Sequence, residues 1–166
     1  MVLTKTPICN FGEKAKNFNL LSTENKKLSL NNVKGENGTL IMFICNHCPY
    51  VKAIIKDLVN DVKNYPDDSF ENMISFSKLH DFSFPYLIDE TQNVAKEYGA
   101  VCTPDFFGYN KHLELQYRGR IRELKDLKPV REGDSDLKVA MKMVYEKGKG
   151  PKNQIPSMGC NIKWFR

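Results

Sequence analysis

Thr39–Lys52, TLIMFICNHCPYVK, decides how the rest of the chain is read. Leu40-Ile41-Met42-Phe43-Ile44 is an uninterrupted apolar run, as expected of a strand buried on both faces of a sheet. Cys45-Asn46-His47-Cys48 follows at once. Beyond it Val51, Ile54, Ile55, Leu58 and Val59 recur at helical spacing. The expected helix runs from about His47 to Val59, with Pro49 in its first turn, where a missing N–H costs little. A C-x-x-C pair therefore sits on a strand-to-helix turn.

Thiol–disulfide exchange needs one thiolate to attack and a second thiol close enough to resolve the mixed disulfide. At the head of a helix, free backbone N–H groups and the dipole favour a negative charge on Cys45, and Cys48 follows one turn later. Such surroundings bring a cysteine pKa from about 8.5 to between roughly 3.5 and 7.5. Cys45 reads as the nucleophile and Cys48 as the resolving thiol. His47, when protonated, further stabilises the thiolate and the reduced form, while Asn46 adds polarity without charge. Couples of this kind span roughly −270 to −120 mV, and this one is expected nearer the middle. The same two cysteines also suit a zinc site, which needs two further ligands. The chain has no second C-x-x-C and no H-x₃₋₅-H pair, so His80, His112, Cys9, Cys102 or Cys160 would have to converge from afar.

Outward from the motif, Phe18–Leu21 and Lys27–Leu30 read as short strands around a polar turn at Ser22–Asn25. Gly35–Gly38 reads as a loop. Ser69 is the expected N-cap of a helix carrying Phe70, Met73, Ile74 and Phe76. Phe84–Ile88 reads as a strand, and Thr91–Tyr98 as a helix stopped by Gly99. Phe106–Tyr109 and Leu113–Tyr117 form an expected hairpin around Asn110-Lys111-His112, and a last helix covers about Ser135–Glu146. Residues 1–15 read as an amino-terminal arm and 148–166 as a tail wrapping the surface. This order predicts one α/β domain over residues 1–166, with a mixed central sheet flanked by helices.

Composition narrows the function. Of 166 residues, 41% are hydrophobic and 27% charged, as in ordinary globular proteins, with a net charge of +5. No window approaches the roughly 18 consecutive apolar residues of a membrane helix. Met1–Gly12 lacks the charged start and apolar core of a signal peptide, so a cytoplasmic location is expected. The lysines at 142, 147, 149 and 152 read as a solvated surface and not as a nucleic-acid face. Five cysteines in a chain of this length do not make a disulfide framework. Cys102 reads as a buried structural thiol, and Cys9 and Cys160 as free thiols. Trp164 and Phe165 are expected to anchor the tail to the core, and Arg118, Arg120 and Arg122 to form a solvated edge.

Three stretches together carry a resemblance: TLIMFICNHCPYVK, FPYLIDETQNVAKEYGAVCTPDFFGYN at Phe84–Asn110, and PSMGCNIKW at Pro156–Trp164. The chain resembles the thioredoxin-like superfamily and, more closely, a bacterial thiol–disulfide oxidoreductase branch of the peroxiredoxin-like (AhpC/TSA) grouping. The likeness covers nearly the whole chain. It implies that Thr103-Pro104 is the loop facing the disulfide, with Pro104 cis and Thr103 offering N–H and C=O groups to a substrate polypeptide. Cys45, Cys48 and His47 are then the expected catalytic residues, and Asn46, Thr103 and Pro104 the expected substrate-binding ones.

Three departures qualify the likeness. A peroxidatic cysteine is expected to follow a Pro seven residues before it and a Thr or Ser three before; those places hold Gly38 and Met42, which weakens a peroxidase reading. Leu40–Ile44 holds no acid to take the resolving thiol's proton. A parallel strand is also expected after the first helix, reached by a right-handed crossover. Asn60-Asp61-Val62-Lys63 supplies no apolar run, so either a break in the chain at Val59–Asn60 or a sheet short of one strand near residues 58–62 is expected. The expected activity is dithiol–disulfide exchange with protein or small-molecule thiols and disulfides. It involves no nucleic acid, no membrane and no bound cofactor, since the electrons reside in Cys45 and Cys48. A thiol peroxidase using Cys45 and a metal-binding or structural thioredoxin-like module are the alternatives, and the oligomeric state stays open.

Overall fold

A computed structural model describes residues 3–58 and 69–165. Leu3–Lys5 forms β1. Asn19–Ser22 (β2) and Lys27–Ser29 (β3) pair antiparallel around the polar turn, and Leu30–Val33 adds a single helical turn, α1. Gly38–Phe43 is β4, followed through the Cys45–Cys48 turn by α2 at Pro49–Leu58. Ser69 caps α3 (Phe70–Leu79), its hydroxyl accepting from the Asn72 N–H at 3.2 Å. A short β5 (Leu87–Ile88) joins β2, and α4 covers Asn93–Glu97.

Cys102–Thr103 (β6) and Asp105–Asn110 (β7) flank Pro104. Leu115–Tyr117 (β8) closes the hairpin, where the Asn110 side-chain oxygen accepts from the His112 and Glu114 N–H groups and sets the turn. Leu124–Lys125 (β9) and Lys128–Pro129 (β10) make a small ribbon. The helix α5 (Asp136–Lys147) is capped by the Ser135 hydroxyl and ended by Gly148, whose φ of +69° suits glycine. Met158–Asn161 is β11.

The strands assemble as three-stranded sheets β4-β7-β8, β3-β2-β5 and β1-β11-β6, besides the ribbon. This is an α/β architecture with a thioredoxin-like fold. Every ladder among the described residues is antiparallel, so the parallel pair that would make the sheet mixed is not among them. The expected break or lost strand at Val59–Asn60 lies outside the described residues. What reads as a loose arm and tail instead pairs strand to strand, β1 against β11 in register Leu3↔Cys160.

Wholly buried β7 divides the core. Phe107 and Tyr109 join Phe18, Leu30, Tyr98 and Leu115, while Phe106 joins Ile54, Tyr117, Leu137 and Ala140. A third cluster surrounds the motif: Cys48, Val51 and Ile55 of the α2 end, Met73 and Phe76 of α3, Tyr86, and Cys160 of β11.

Three readings need correction. β4 is half-buried where burial on both faces is expected, because β7 lies on one side and a cavity of about 500 Å³ on the other. Arg118 is buried and pairs with Asp105 at 3.0 Å, and Arg120 pairs with Asp136 at 2.7 Å, so they are structural and no solvated edge. Arg122 donates to the Arg131 and Gly133 carbonyls. Trp164 and Phe165 do not enter the core: they are 41% and 69% exposed.

Candidate thiol site

The turn between β4 and α2 places Cys45 and Cys48 at different depths. Cys45 is half-buried and Cys48 wholly buried. Pro49, with its φ already set for helix, starts α2 one residue after Cys48, so both sulfurs lie at the helix's amino end. Asn46 turns inward and is fully buried, its side-chain oxygen accepting from the Tyr86 hydroxyl at 2.9 Å. That places its side chain against the turn, at the position where a substrate contact is expected from the sequence. His47 stands exposed at the same turn.

Thr103 connects the two thiols. Its hydroxyl lies 3.1 Å from the Cys45 sulfur, and its carbonyl oxygen accepts from Cys48 Sγ at 3.2 Å. The Thr103–Pro104 bond is cis, as the resemblance implied. Thr103 sits opposite Cys160 in the β6–β11 ladder, so one edge of β6 is taken by the chain itself.

That ladder brings in a residue that sequence reasoning left out of the site. Cys160 Sγ is 3.0 Å from Cys48 Sγ, across 112 positions of sequence. Ser157 fastens β11 from both directions. Its hydroxyl donates to the Pro104 carbonyl at 2.9 Å, its N–H to the Thr6 hydroxyl at 3.0 Å, and its carbonyl accepts from the Thr6 N–H at 2.9 Å. A side chain at position 159 would run into the Thr103 carbonyl, so only glycine lets the strands come this close. The signal in sequence was PSMGCNIKW as a whole; nothing local to Cys160 points at Cys48.

Electrostatics follow from these contacts. The hydrogen bond from Cys45, then that from Cys160, pulls the Cys48 pKa down to about 4 in spite of burial. Burial, with the contact to Cys48 adding to it, pushes Cys160 up to about 11. The Thr103 carbonyl can only accept, and so favours a proton on Cys48. The arrangement favours a negative charge on Cys48, hydrogen-bonded by the thiols of Cys45 and Cys160, and Cys45 is the shallowest of the three. β4 itself carries no acid. Asp105, opposite Phe43 on β7, is buried, but its carboxylate is taken by Arg118 and the Val101 N–H. Beside Cys45, the 500 Å³ cavity is bounded by a mostly apolar wall of β4, Phe18, Leu20, Met73 and Phe84–Ile88.

The other cysteines lie elsewhere. Burial pushes Cys102 up to about 12 and Cys9 up to about 11. No disulfide joins any of the five cysteines.

Comparison with known proteins agrees with the fold. Residues 11–124 match the family described as AhpC/TSA. The chain is similar to a crystal structure of an uncharacterized conserved protein from Geobacillus kaustophilus, with 34% identity and a TM-score of 0.88 over 99% of this chain and 97% of that one. A hypothetical protein from Sinorhizobium meliloti shares 32% identity at a TM-score of 0.83, covering 97% of both chains. A thiol-disulfide oxidoreductase from Bacteroides fragilis shares the fold at 20% identity and a TM-score of 0.51, over 64% of this chain and 89% of that one. A search of curated proteins finds no match.

Proposed function

We propose, on the premise that this chain belongs to the AhpC/TSA family, that it is a thiol–disulfide oxidoreductase acting through Cys45 and Cys48. The observation that carries this reading is the shared contact with Thr103. Both sulfurs lie within 3.2 Å of one residue of the cis-proline loop, one shallow and one buried. The Cys45 thiolate attacks one sulfur of a substrate disulfide, forming a mixed disulfide and expelling a substrate thiolate. Cys48 then attacks Cys45 Sγ; a Cys45–Cys48 disulfide forms, and the second substrate sulfur leaves as a thiol. Run backwards, the same steps oxidise a dithiol. The half-buried position of Cys45 and the apolar cavity beside it suit protein or small-molecule disulfides alike. His47, exposed at the turn, is assigned to thiolate stabilisation, Thr103 and Pro104 to substrate positioning, and Asn46 to holding the turn. Five cysteines, none of them joined in a disulfide, suit a reducing compartment such as the cytoplasm.

Equilibration in glutathione buffers, acid quenching, alkylation and peptide mass spectrometry test this reading. The expected result is a reversible two-electron couple at Cys45 and Cys48. Peroxide consumption by Cys48→Ser at an undiminished rate would replace it with a peroxidase acting through Cys45 alone, a reading that the family's name keeps in view.

A further inference from the structure

Resting on that reading, we propose that Cys160 is a third redox thiol, which takes Cys48 over from Cys45 and moves the disulfide from the surface of the site into its interior. The Cys160 thiolate attacks Cys48 Sγ in the oxidised Cys45–Cys48 form. A Cys48–Cys160 bond forms, the Cys45–Cys48 bond breaks, and Cys45 leaves as a thiolate that takes up the proton Cys160 gave away. One disulfide is exchanged for another, so no outside oxidant is consumed in this step.

Geometry supports it. The two sulfurs are already 3.0 Å apart, and a disulfide needs about 2.05 Å, so an approach of about 1 Å closes the bond. Neither strand nor helix must be rebuilt. Cys160 is held in the middle strand of β1-β11-β6, opposite Leu3 on one side and Thr103 on the other, and Ser157 pins that strand to the Pro104 carbonyl. Cys48 sits at the fixed end of α2. Both partners are buried, Cys160 almost as completely as Cys48. A purely structural role asks only for a small apolar group at position 160; alanine would fill that role without placing a nucleophilic atom against the resolving sulfur.

The exchange has a consequence for turnover. A Cys45–Cys48 disulfide is open to attack from solvent at its half-buried sulfur, whereas a Cys48–Cys160 disulfide has no comparably open sulfur. Oxidised protein in the second form keeps Cys45 as a free thiol, able to form a mixed disulfide while two oxidising equivalents are stored behind it. Raising the pH speeds the transfer, because Cys160 must lose its proton to attack, and leaves its balance unchanged, because Cys45 takes a proton up.

Wild-type protein oxidised with glutathione disulfide, acid-quenched, alkylated and digested without reduction tests the inference. The expected result is two cross-linked species, Cys45–Cys48 and Cys48–Cys160, with the second forming faster at pH 9 than at pH 6. In Cys160→Ser, and likewise in Cys160→Ala should serine disturb folding, the second species is lost and the first is retained. If wild-type protein shows only Cys45–Cys48, with Cys160 alkylated in every molecule, the relay is overturned and the exchange reading stands. If neither wild type nor the variants yield any disulfide, the exchange reading falls and the relay with it.

Discussion

Cys48 and Cys102 are both wholly sealed from solvent, and both lie against the same turn. One reaches the Thr103 carbonyl at 3.2 Å and the other the Pro104 carbonyl at 3.6 Å. Their acidities nonetheless part in opposite directions, Cys48 down to about 4 and Cys102 up to about 12. Burial acts alike on both, raising the pKa by denying the thiolate its water. What differs is the company. Cys48 has thiols on two sides to share its charge, whereas Cys102 has the Asp105 carboxylate beside it, which adds repulsion to desolvation. The acidity of Cys48 comes from its neighbours, first Cys45 on the turn and then Cys160 on β11, and depth alone would have opposed it.

The sharpest way to break that comparison is to delete each thiol in turn. Cys48→Ala should lower dithiol–disulfide turnover by about 10³-fold or more, as removal of one member of a covalent catalytic set commonly does. Cys102→Ala should leave turnover within about twofold, at a stability loss of roughly 1 kcal/mol for the missing sulfur. Steady-state assays with a glutathionylated peptide read both. Equal losses would mean that Cys102 belongs to the site after all.

Acid and base separate the two thiols next. Relative to the ordinary thiol value of 9.0, Cys48 is depressed in the folded state, so its stabilising contribution is complete above pH 9 and is gone once the pH falls below about 4. Cys102 is raised, so its contribution is complete below pH 9 and is lost as the pH climbs towards about 12. Urea midpoints of the reduced protein should therefore rise between pH 4 and 9, with a flatter rise in Cys48→Ala. Between pH 9 and 11 the fall should be shallower in Cys102→Ala. A wild-type slope unchanged by Cys48→Ala between pH 4 and 9 would remove the charge from that sulfur.

Gly159→Ala sharpens the comparison by moving one neighbour only. Its methyl group meets the Thr103 carbonyl, and overpacking of this kind typically costs about 1–3 kcal/mol. The strand must then retreat, taking Cys160 from Cys48 and leaving Cys102 where it is. Thermal unfolding measures the first effect. The pH dependence of alkylation measures the second, with the Cys45–Cys48 pair expected to react at higher pH than in wild type.

How far the sequence reached is instructive here. The C-x-x-C turn, the α2 face of Val51, Ile54 and Ile55, the Ser69 cap and the helix from about Ser135 are local patterns, and local patterns survive folding. The β7–β8 hairpin was legible for the same reason, since Asn110 sets its turn within four residues. The cis Thr103-Pro104 bond came only through the resemblance, because nothing in Cys102-Thr103-Pro104 itself specifies it. Cys160 could not be placed at all. Its position depends on β11 entering between β1 and β6, pairings that span most of the chain and leave no periodic trace in a four-residue strand. Arg118 misled in the opposite sense: a charged residue next to a hairpin reads as surface until its buried partner, Asp105, is known.

The smallest effect concerns the turn itself. Asn46 lies between the two reactive sulfurs in sequence, and its buried carboxamide accepts from the Tyr86 hydroxyl at 2.9 Å. Tyr86 packs its ring against Phe82 in the cluster that also holds Cys48 and Cys160, so Tyr86→Phe keeps the packing and removes the bond. A neutral hydrogen bond of this kind contributes about 0.5–1.5 kcal/mol. The fall in unfolding midpoint should be correspondingly small. The turn then holds Cys45 and Cys48 less firmly against Thr103, and the rate of Cys45 alkylation at fixed pH should change by a few-fold. Cys102 has no contact with this bond, and its protection from alkylation should not change. If both thiols shift together, Tyr86 supports the whole core and not the turn. A change confined to Cys45 makes Asn46 the residue that fixes how the motif meets Thr103.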